Sequence, residues 1–219
     1  MYGYALCIRE EIYASDHPMV LATKNNIAQV YASEERYGEA ISLFETVIRE
    51  YRENSTEDSA FLATVYDNLS TAYREMERYE DAIDICTEGL NIRKNIYGKR
   101  SLDYAISLNN LALIYYEMGI LNNAADIFSE ALAIKKETLP EIHGQISIGY
   151  FNLGLVYDKL HRDNEALENY RASMEIDNEL EAYEDVLLTA EYIAEIYERN
   201  DMPEDAEAYR TLCSKDDVH

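Results

Sequence analysis

The chain has 219 residues with only three prolines and eight glycines, a composition that disfavours both disorder and a turn-rich all-β fold. Lys and Arg total 19 against 43 Asp and Glu, and the formal charge of −24 argues against nucleic acid and membrane surfaces as partners. No apolar run approaches the roughly 20 residues of a membrane span, and the N-terminal MYGYALCIREE carries charge where a signal peptide is apolar. With three scattered cysteines and no C-x-x-C pair, we expect a soluble cytoplasmic protein.

Residues 1–16 are predicted to form the second helix of a helical hairpin without its first helix. The basis is the match between Leu6-Cys-Ile-Arg9 and Leu90-Asn-Ile-Arg93, a segment that lies in a second helix further along the chain. This arrangement leaves Leu6, Ile8 and Ile12 without a partner on one side. Unpaired apolar surface at the end of a repeat array tends to be covered by another chain or by further sequence.

From residue 17 onwards the sequence repeats. Four copies of one block lie 42 residues apart, namely Asn25-Asn-Ile-Ala-Gln-Val-Tyr31, Asp67-Asn-Leu-Ser-Thr-Ala-Tyr73, Asn109-Asn-Leu-Ala-Leu-Ile-Tyr115 and Phe151-Asn-Leu-Gly-Leu-Val-Tyr157. A fifth, looser copy follows 40 residues later, in Tyr192-Ile-Ala-Glu-Ile-Tyr197. We therefore divide the chain into a partial repeat at 1–16, repeats at 17–58, 59–100, 101–142, 143–182 and 183–215, and a tail at 216–219.

Each copy is predicted to contain two antiparallel helices, A and then B. Leu108, Leu111, Ala112 and Tyr115 have the i, i+3, i+4, i+7 spacing of one helix face. Short polar segments predict the turns between A and B at 33–37, 75–79, 117–121, 159–163 and 199–203. A small residue recurs on helix A, where it allows close helix contact, at Ala28, Ser70, Ala112, Gly154 and Ala194. Ser59 and Ser101 are predicted N-caps.

The pattern of apolar, small and Tyr, followed by Ala and an aromatic residue, resembles the tetratricopeptide repeat (TPR). The step of 42 residues and the doubled Asn are similar to the long-helix repeat of kinesin light chains and related bacterial proteins. The resemblance covers residues 1–213 and implies an all-α fold, a right-handed superhelical solenoid of helical hairpins whose A helices line a concave groove. Two departures are Cys86, in place of an aromatic residue, and the shorter fifth copy.

The resemblance also implies which residues contact a ligand. The position five residues before the Tyr that ends helix A faces the groove in this family, and it holds Asn26, Asn68, Asn110 and Asn152. A side-chain amide offers one acceptor and two donors, so it pairs with both polar groups of one peptide unit. We therefore predict an Asn ladder that binds the backbone of an extended peptide. The alternative is that these amides bond to the neighbouring helix and only hold the repeats together.

Further candidate peptide contacts follow from neighbouring groove positions. They are Asn25, Asn109, Arg74, Tyr116, Leu113 and Leu155. Leu113, Leu155 and Tyr116, together with Phe151, are expected to form an apolar patch for large ligand side chains, or else to turn inward and join the core. In copy five, Glu191, Glu195 and Glu198 share one helix stripe, which fits either a basic ligand segment or a solvated end cap. The paired Lys residues of a chaperone-tail clamp are not found.

Enzyme function has no supporting pattern, and we expect neither catalytic residues, nor a cofactor, nor a metal. His17, His143, His161 and His219 form no H-x-x-x-H or H-E-x-x-H motif. The glycines are scattered singly, so no phosphate-binding loop is present. Cys86 lies at a core position and is expected to be a buried small hydrophobic residue.

Two functions follow from these patterns. The first is a protein-interaction module or adaptor that holds a peptide segment of a partner protein in its groove. The second is a self-associating or sensor TPR domain of a larger signalling protein, for which a homodimer is one expected form.

Overall fold

A computed structural model describes residues 6, 8, 9, 11–55 and 59–215, with side chains as far as residue 211. Between residues 17 and 215 the described chain holds ten helices and no strand. They are α1 (Pro18–Ser33), α2 (Tyr37–Asn54), α3 (Ala60–Glu75), α4 (Tyr79–Tyr97), α5 (Leu102–Glu117), α6 (Leu121–Thr138), α7 (Gly144–Lys159), α8 (Asp163–Glu179), α9 (Tyr183–Arg199) and α10 (Pro203–Lys215). The odd-numbered helices are the predicted A helices and the even-numbered ones the B helices. The repeat limits given above stay a prediction.

The chain divides into two compact units, Met1–Ile114 and Tyr115–His219. In the first unit α1 packs against α2, α2 against α3 and α3 against α4. In the second unit α7 packs against both α6 and α8, and α9 packs against α8 and α10. Consecutive helices are therefore neighbours in space, as expected for helical hairpins joined by short loops.

The predicted A–B turns are confirmed, since each A helix ends and each B helix begins at the residues expected from the sequence. In each turn one residue has the left-handed conformation, at Glu35, Glu77, Gly119, His161 and Asp201. The amide of the residue after it bonds back to the carbonyl of the Tyr at the end of helix A, as in Arg78 N to Tyr73 O at 2.9 Å. This is the Schellman arrangement, which satisfies the last carbonyls of a helix.

In three of these turns an arginine packs on the Tyr that ends helix A. Each guanidinium lies over the ring of the Tyr that ends helix A, at 4.1 to 4.6 Å from the ring centroid. The same arginine pairs with an acid in the first turn of helix B. The three sets are Tyr31 with Arg36 and Glu39, Tyr73 with Arg78 and Asp81, and Tyr157 with Arg162 and Glu165.

The N-caps follow the repeat as well. Ser59 Oγ accepts from Leu62 N at 3.1 Å and Ser101 Oγ from Tyr104 N at 3.2 Å, which confirms both predicted caps. At the equivalent positions His17 and His143 are also N-caps, where Nδ1 accepts from a backbone amide two residues on. His17 and His143 therefore have a structural role, since each accepts a hydrogen bond from an otherwise unpaired N–H at the start of a helix.

The recurring small residue of helix A packs against a B-helix side chain of matched size. In the second unit Gly154 lies against the ring of Tyr170, which is fully buried. In the first unit Ser70 lies near Cys86, which is also fully buried. Ser70 is larger than Gly154, and Cys86 is smaller than Tyr170, so each pair fills the space between its two helices. This explains why Cys86 departs from the repeat pattern, and its burial confirms the prediction of a buried small residue.

At the start of the described chain Ile8 and Ile12 are 41% and 65% exposed. The rest of the predicted partial repeat falls partly on residues 1–5, 7 and 10, outside the described residues, as does the predicted tail.

Candidate functional site

The predicted Asn residues of the first unit make contacts between consecutive A helices. Asn68 Nδ2, on α3, donates to Asn25 Oδ1, on α1, at 3.1 Å. Asn25 is 6% exposed, whereas Asn68 is half-buried and Asn26 is exposed. The bond uses one donor of Asn68, and its side chain makes no other hydrogen bond among the described residues. Its amide is thus held in one orientation, with a carbonyl oxygen and one N–H still available.

One repeat later Asp67, on α3, occupies the position of Asn25. Asn110, on α5, lies close enough to Asp67 to lower the pKa of its carboxyl group. Asp67 is 7% exposed and also pairs with Arg93, while Ser107 Oγ donates to Asp67 Oδ1 at 3.1 Å. Burial raises the pKa of Asp67 above its ordinary value, although Arg93 and the hydrogen bonds oppose that rise. The ion pair is buried, and Ser107 Oγ is hydrogen-bonded to both of its members.

A small cavity lies between α3 and α5 on this face. Its volume is about 170 Å³, and its lining residues are Ser70, Thr71, Arg74, Asn110, Leu113 and Ile114. Three of these, Arg74, Asn110 and Leu113, are candidate peptide contacts from the sequence. The cavity is smaller than the 300–1,000 Å³ typical of small-molecule sites, so it suits part of a peptide better than a cofactor.

In the second unit the predicted residues have more varied surroundings. Tyr116 is one of the predicted peptide contacts. Its ring makes a cation–π contact with Lys159, whose Nζ lies 3.9 Å from the ring centroid. Asn152 is 8% exposed. Leu155 and Phe151 pack against the core around Tyr170, in line with the alternative that these apolar residues turn inward. Asn109, in the first unit, is half-buried.

Sequence reasoning missed a second cavity, of about 240 Å³, between α7 and α9. The helices α7 and α9 form its sides and α8 its floor. It is lined by Gly144, Ser147, Ile148, Phe151, Ser173, Asp177, Leu180, Ala182, Asp185, Leu188 and Thr189. The repeat pattern gave no signal for it, because the polar residues on its floor are particular to one copy.

A third cavity, of about 500 Å³, lies between α6, α7 and α8. None of the predicted residues lines it. Its lining contains three acids, Glu141, Glu175 and Glu179, and one base, Lys136. Lys136 Nζ donates to the hydroxyl of Tyr150, another lining residue, at 2.8 Å.

Among the described residues no group of three His, Cys, Asp or Glu side chains is placed to hold a metal ion. Burial raises the pKa of Cys86 to about 12, so this thiol stays protonated. No helix in the described part of the chain is long and apolar enough to cross a membrane.

The acidic stripe of the fifth copy is exposed on α9 at Glu191, Glu195 and Glu198. Glu198 pairs with Arg210, on α10. Arg199 binds both Asp158 and Asp163, at 2.7 Å and 2.5 Å. Part of the acidity at this end of the chain is therefore matched by arginines of neighbouring helices.

Comparisons with known proteins agree with this architecture. Family models described as tetratricopeptide repeat match residues 20–55, 61–137 and 149–180. No curated protein sequence matches the chain.

Several solved structures match closely in backbone. The crystal structure of BtubC (BKLC) from P. vanneervenii has a TM-score of 0.85 at 19% identity, covering 100% of this chain and 90% of that one. A kinesin light chain-like protein of Podosopora anserina, with nearly identical TPR-like repeats, has a TM-score of 0.78 at 19% identity, covering 93% and 99%. The Rap conjugation gene regulator of plasmid pLS20, in complex with the Phr* peptide, has a TM-score of 0.69 at 18% identity, covering 88% and 52%. At such identities the likeness establishes the fold.

Proposed function

Because the chain belongs to the tetratricopeptide-repeat family and resembles its kinesin light chain-like members, we propose that it is an adaptor whose A helices bind a peptide segment of a partner protein. The fold class is the predicted one, an all-α solenoid of TPR hairpins. Such repeats are protein-interaction modules.

The observation that carries the proposal is the state of Asn68. Its amide is half-buried and oriented by Asn25, and it keeps one donor and one acceptor. These two groups match the C=O and N–H of one peptide unit in an extended segment. Because the orientation is fixed before binding, little side-chain entropy is lost when a ligand arrives.

Asn110, at the same position one repeat later, lines the cavity that also has Arg74 and Leu113 in its wall. Helices packed roughly 10 Å apart would place one amide at about every third residue of a segment that rises about 3.3 Å per residue. The amides then recognise the backbone, and the cavity between α3 and α5 takes part of a ligand side chain. Asn26, which is exposed on α1, is proposed to contact the same peptide segment.

The test is selection of peptides from a phage-displayed library of random 12-residue sequences against the purified chain, followed by affinity measurement with synthetic peptides. Asn68→Ala and Asn110→Ala should each weaken binding about tenfold or more, the value of two hydrogen bonds of about 0.5–1.5 kcal/mol each. The matched control is Asn91→Ala with Asn95→Ala, two exposed amides on α4, which should leave affinity unchanged.

Because Asn68 also bonds to Asn25, stability and binding must be separated. Asn68→Ala leaves the acceptor of Asn25 unpaired and is expected to lower the free energy of unfolding by about 1 kcal/mol. Asn68→Asp keeps the contact, since the Asn25 amide can rotate and donate, but it removes the donors offered to a ligand. Normal peptide binding by fully folded Asn68→Asp and Asn68→Ala proteins would show that the ladder only joins the helices.

Self-association is a second candidate function. It is supported by the exposure of Ile8, Ile12, Tyr13 and Met19 near the start of the described chain, at 41%, 65%, 37% and 43%. Sedimentation equilibrium should then show a dimer that Ile12→Asp converts to monomer. A strictly monomeric wild-type chain would remove this candidate.

A further inference from the structure

Asp177 is a buried acid that has no basic partner among the described residues. It lies on α8 at 5% exposure and forms part of the floor of the 240 Å³ cavity between α7 and α9. Ser173 Oγ donates to its Oδ2 at 3.3 Å, and Ser147 lies close enough to lower the pKa of the carboxyl group. The two hydroxyls lie 2.9 Å apart and are themselves buried. Hydroxyl groups alone compensate a buried charge poorly.

The repeat shows what the equivalent position does elsewhere. Counting back two steps of 42 residues from Asp177 leads to Arg93. In the first unit Arg93 is buried and pairs with Asp67, and its Nη1 donates to Ser107 Oγ at 2.6 Å. This buried base therefore has an acidic partner within the chain. In the second unit the position holds a buried base in one copy, Lys135, and an acid in the next copy, Asp177, beside which the cavity lies. The copy that contains Asp177 thus has a buried acid but, among the described residues, no base that pairs with it.

The edge of the cavity is largely apolar. Ile148, Leu180 and Leu188 are large apolar residues at its edge, with exposures of 53%, 42% and 49%. A second acid, Asp185, is exposed at the same cavity. Burial raises the pKa of Asp177, and the nearby charge of Asp185 adds to the rise, so the free chain stabilises this carboxylate poorly.

We infer that this cavity receives the arginine side chain of a peptide bound along the A helices of the second unit, with the guanidinium on Asp177. The aliphatic stem of arginine covers the apolar edge formed by Ile148 and Leu188, while its planar head reaches the carboxylate on the floor. Arginine is favoured over lysine, because its forked donors match a carboxylate in two-point geometry. The inference rests on the proposed function, since it assigns one residue type to the peptide that the A helices bind.

The experiment uses the full chain and the same 12-residue phage library. Peptides selected by the wild-type chain should share an arginine, and peptides selected by the Asp177→Asn chain should lose that preference. For the best synthetic peptide, replacing its arginine by norleucine keeps much of the stem and removes the charge. This change should weaken binding to the wild-type chain by about tenfold or more, as for a charged hydrogen bond, and to the Asp177→Asn chain by less than about threefold.

Asp185→Asn is the matched control, since it removes an acid from the exposed side of the same cavity. Solvent screens that charge, so the norleucine effect should stay near its wild-type size. Circular dichroism checks that the variants are folded. The comparison of the two peptides on the wild-type chain needs no variant, so it tests the inference even if Asp177→Asn fails to fold.

The outcomes separate the inference from the proposed function. Peptides that bind, respond to Asn68→Ala or Asn110→Ala and show no arginine preference would overturn the inference and leave the function standing. An arginine effect of the same size in the Asp177→Asn chain would also overturn it. If the library yields no binding peptide at all, the proposed function fails, and the inference fails with it.

Discussion

Replacing Gly154 by alanine tests the packing in the second unit. A Cβ added at this position would lie 2.5 Å from both Cδ1 and Cε1 of Tyr170 and 3.0 Å from Cγ. Carbon atoms in ordinary contact are about 3.5–4.0 Å apart, so the ring would have to shift by roughly 1 Å. The ring has little room, because its centroid lies 5.6 Å from that of Phe151 and 5.5 Å from that of Tyr192.

Two effects of the substitution oppose each other. Alanine is the better helix former by about 1 kcal/mol in a helix interior. Overpacking a filled core costs about 1–3 kcal/mol, and three close contacts with a fully buried ring place this substitution at the upper end. The net expectation is a loss of about 2 kcal/mol in the free energy of unfolding, which lowers the melting temperature by about 4–8 °C.

Thermal unfolding followed by circular dichroism measures the change, with Gly38→Ala as the matched control. Gly38 lies in α2, and a Cβ there would meet nothing within 4 Å, so this substitution should stabilise the chain by about 0.5–1 kcal/mol. The double variant Gly154→Ala with Tyr170→Cys imitates the Ser70 and Cys86 pair and should lose less stability than the sum of the single changes. If Gly154→Ala is as stable as the wild-type chain, the close contact with Tyr170 is wrong.

Three further predictions concern turns, caps and pH. Gly119 has φ of 76° and Glu77 of 57°, so Gly119→Ala should cost about 1 kcal/mol and Glu77→Gly should stabilise; equal melting temperatures for both variants would contradict this. His143→Ala removes an N-cap and should cost about 1 kcal/mol, whereas His143→Ser should restore stability in the same urea titration. Burial and the bond to Glu45 raise the pKa of Tyr73 to about 12. The folded chain then keeps a proton that the unfolded chain releases near pH 10, so stability is present below pH 10 and falls by up to about 1.4 kcal/mol per pH unit as pH rises to 12. Tyr73→Phe should make the free energy of unfolding depend less on pH between 10 and 12. The same pH dependence in this variant would contradict the assignment to Tyr73.

The repeat made much of the fold predictable. A step of 42 residues that keeps Tyr at the end of helix A sets the turn from Glu75 to Tyr79 and its four equivalents, because turn chemistry is local in sequence. The caps at Ser59 and Ser101 follow for the same reason. His143 was missed as a cap because histidine is not among the residues usually found there.

The candidate site was predictable only in part. Periodicity identified Asn68 and Asn110 as polar residues on the A helices, but it could not show that Asn68 bonds to Asn25 at 3.1 Å. The sequence leaves open whether Leu155 lines the groove or turns inward, and in the structure Leu155 packs against the Tyr170 core. The sequence pattern sets the buried face of a helix, while the degree of exposure at its edge depends on how neighbouring helices are rotated.

What the sequence by itself determined is therefore the family, the helix limits and the face that each helix buries, since all three depend on residues close together in the chain. Only the tertiary structure decided the partners of the polar side chains. Arg93 and Asp177 hold the same place in the repeat, yet Arg93 meets Asp67 and Asp177 lies at an open cavity. The physical reason is that a buried charge is matched by whatever residue lies across the helix interface, and that residue is more than twenty positions away in the sequence.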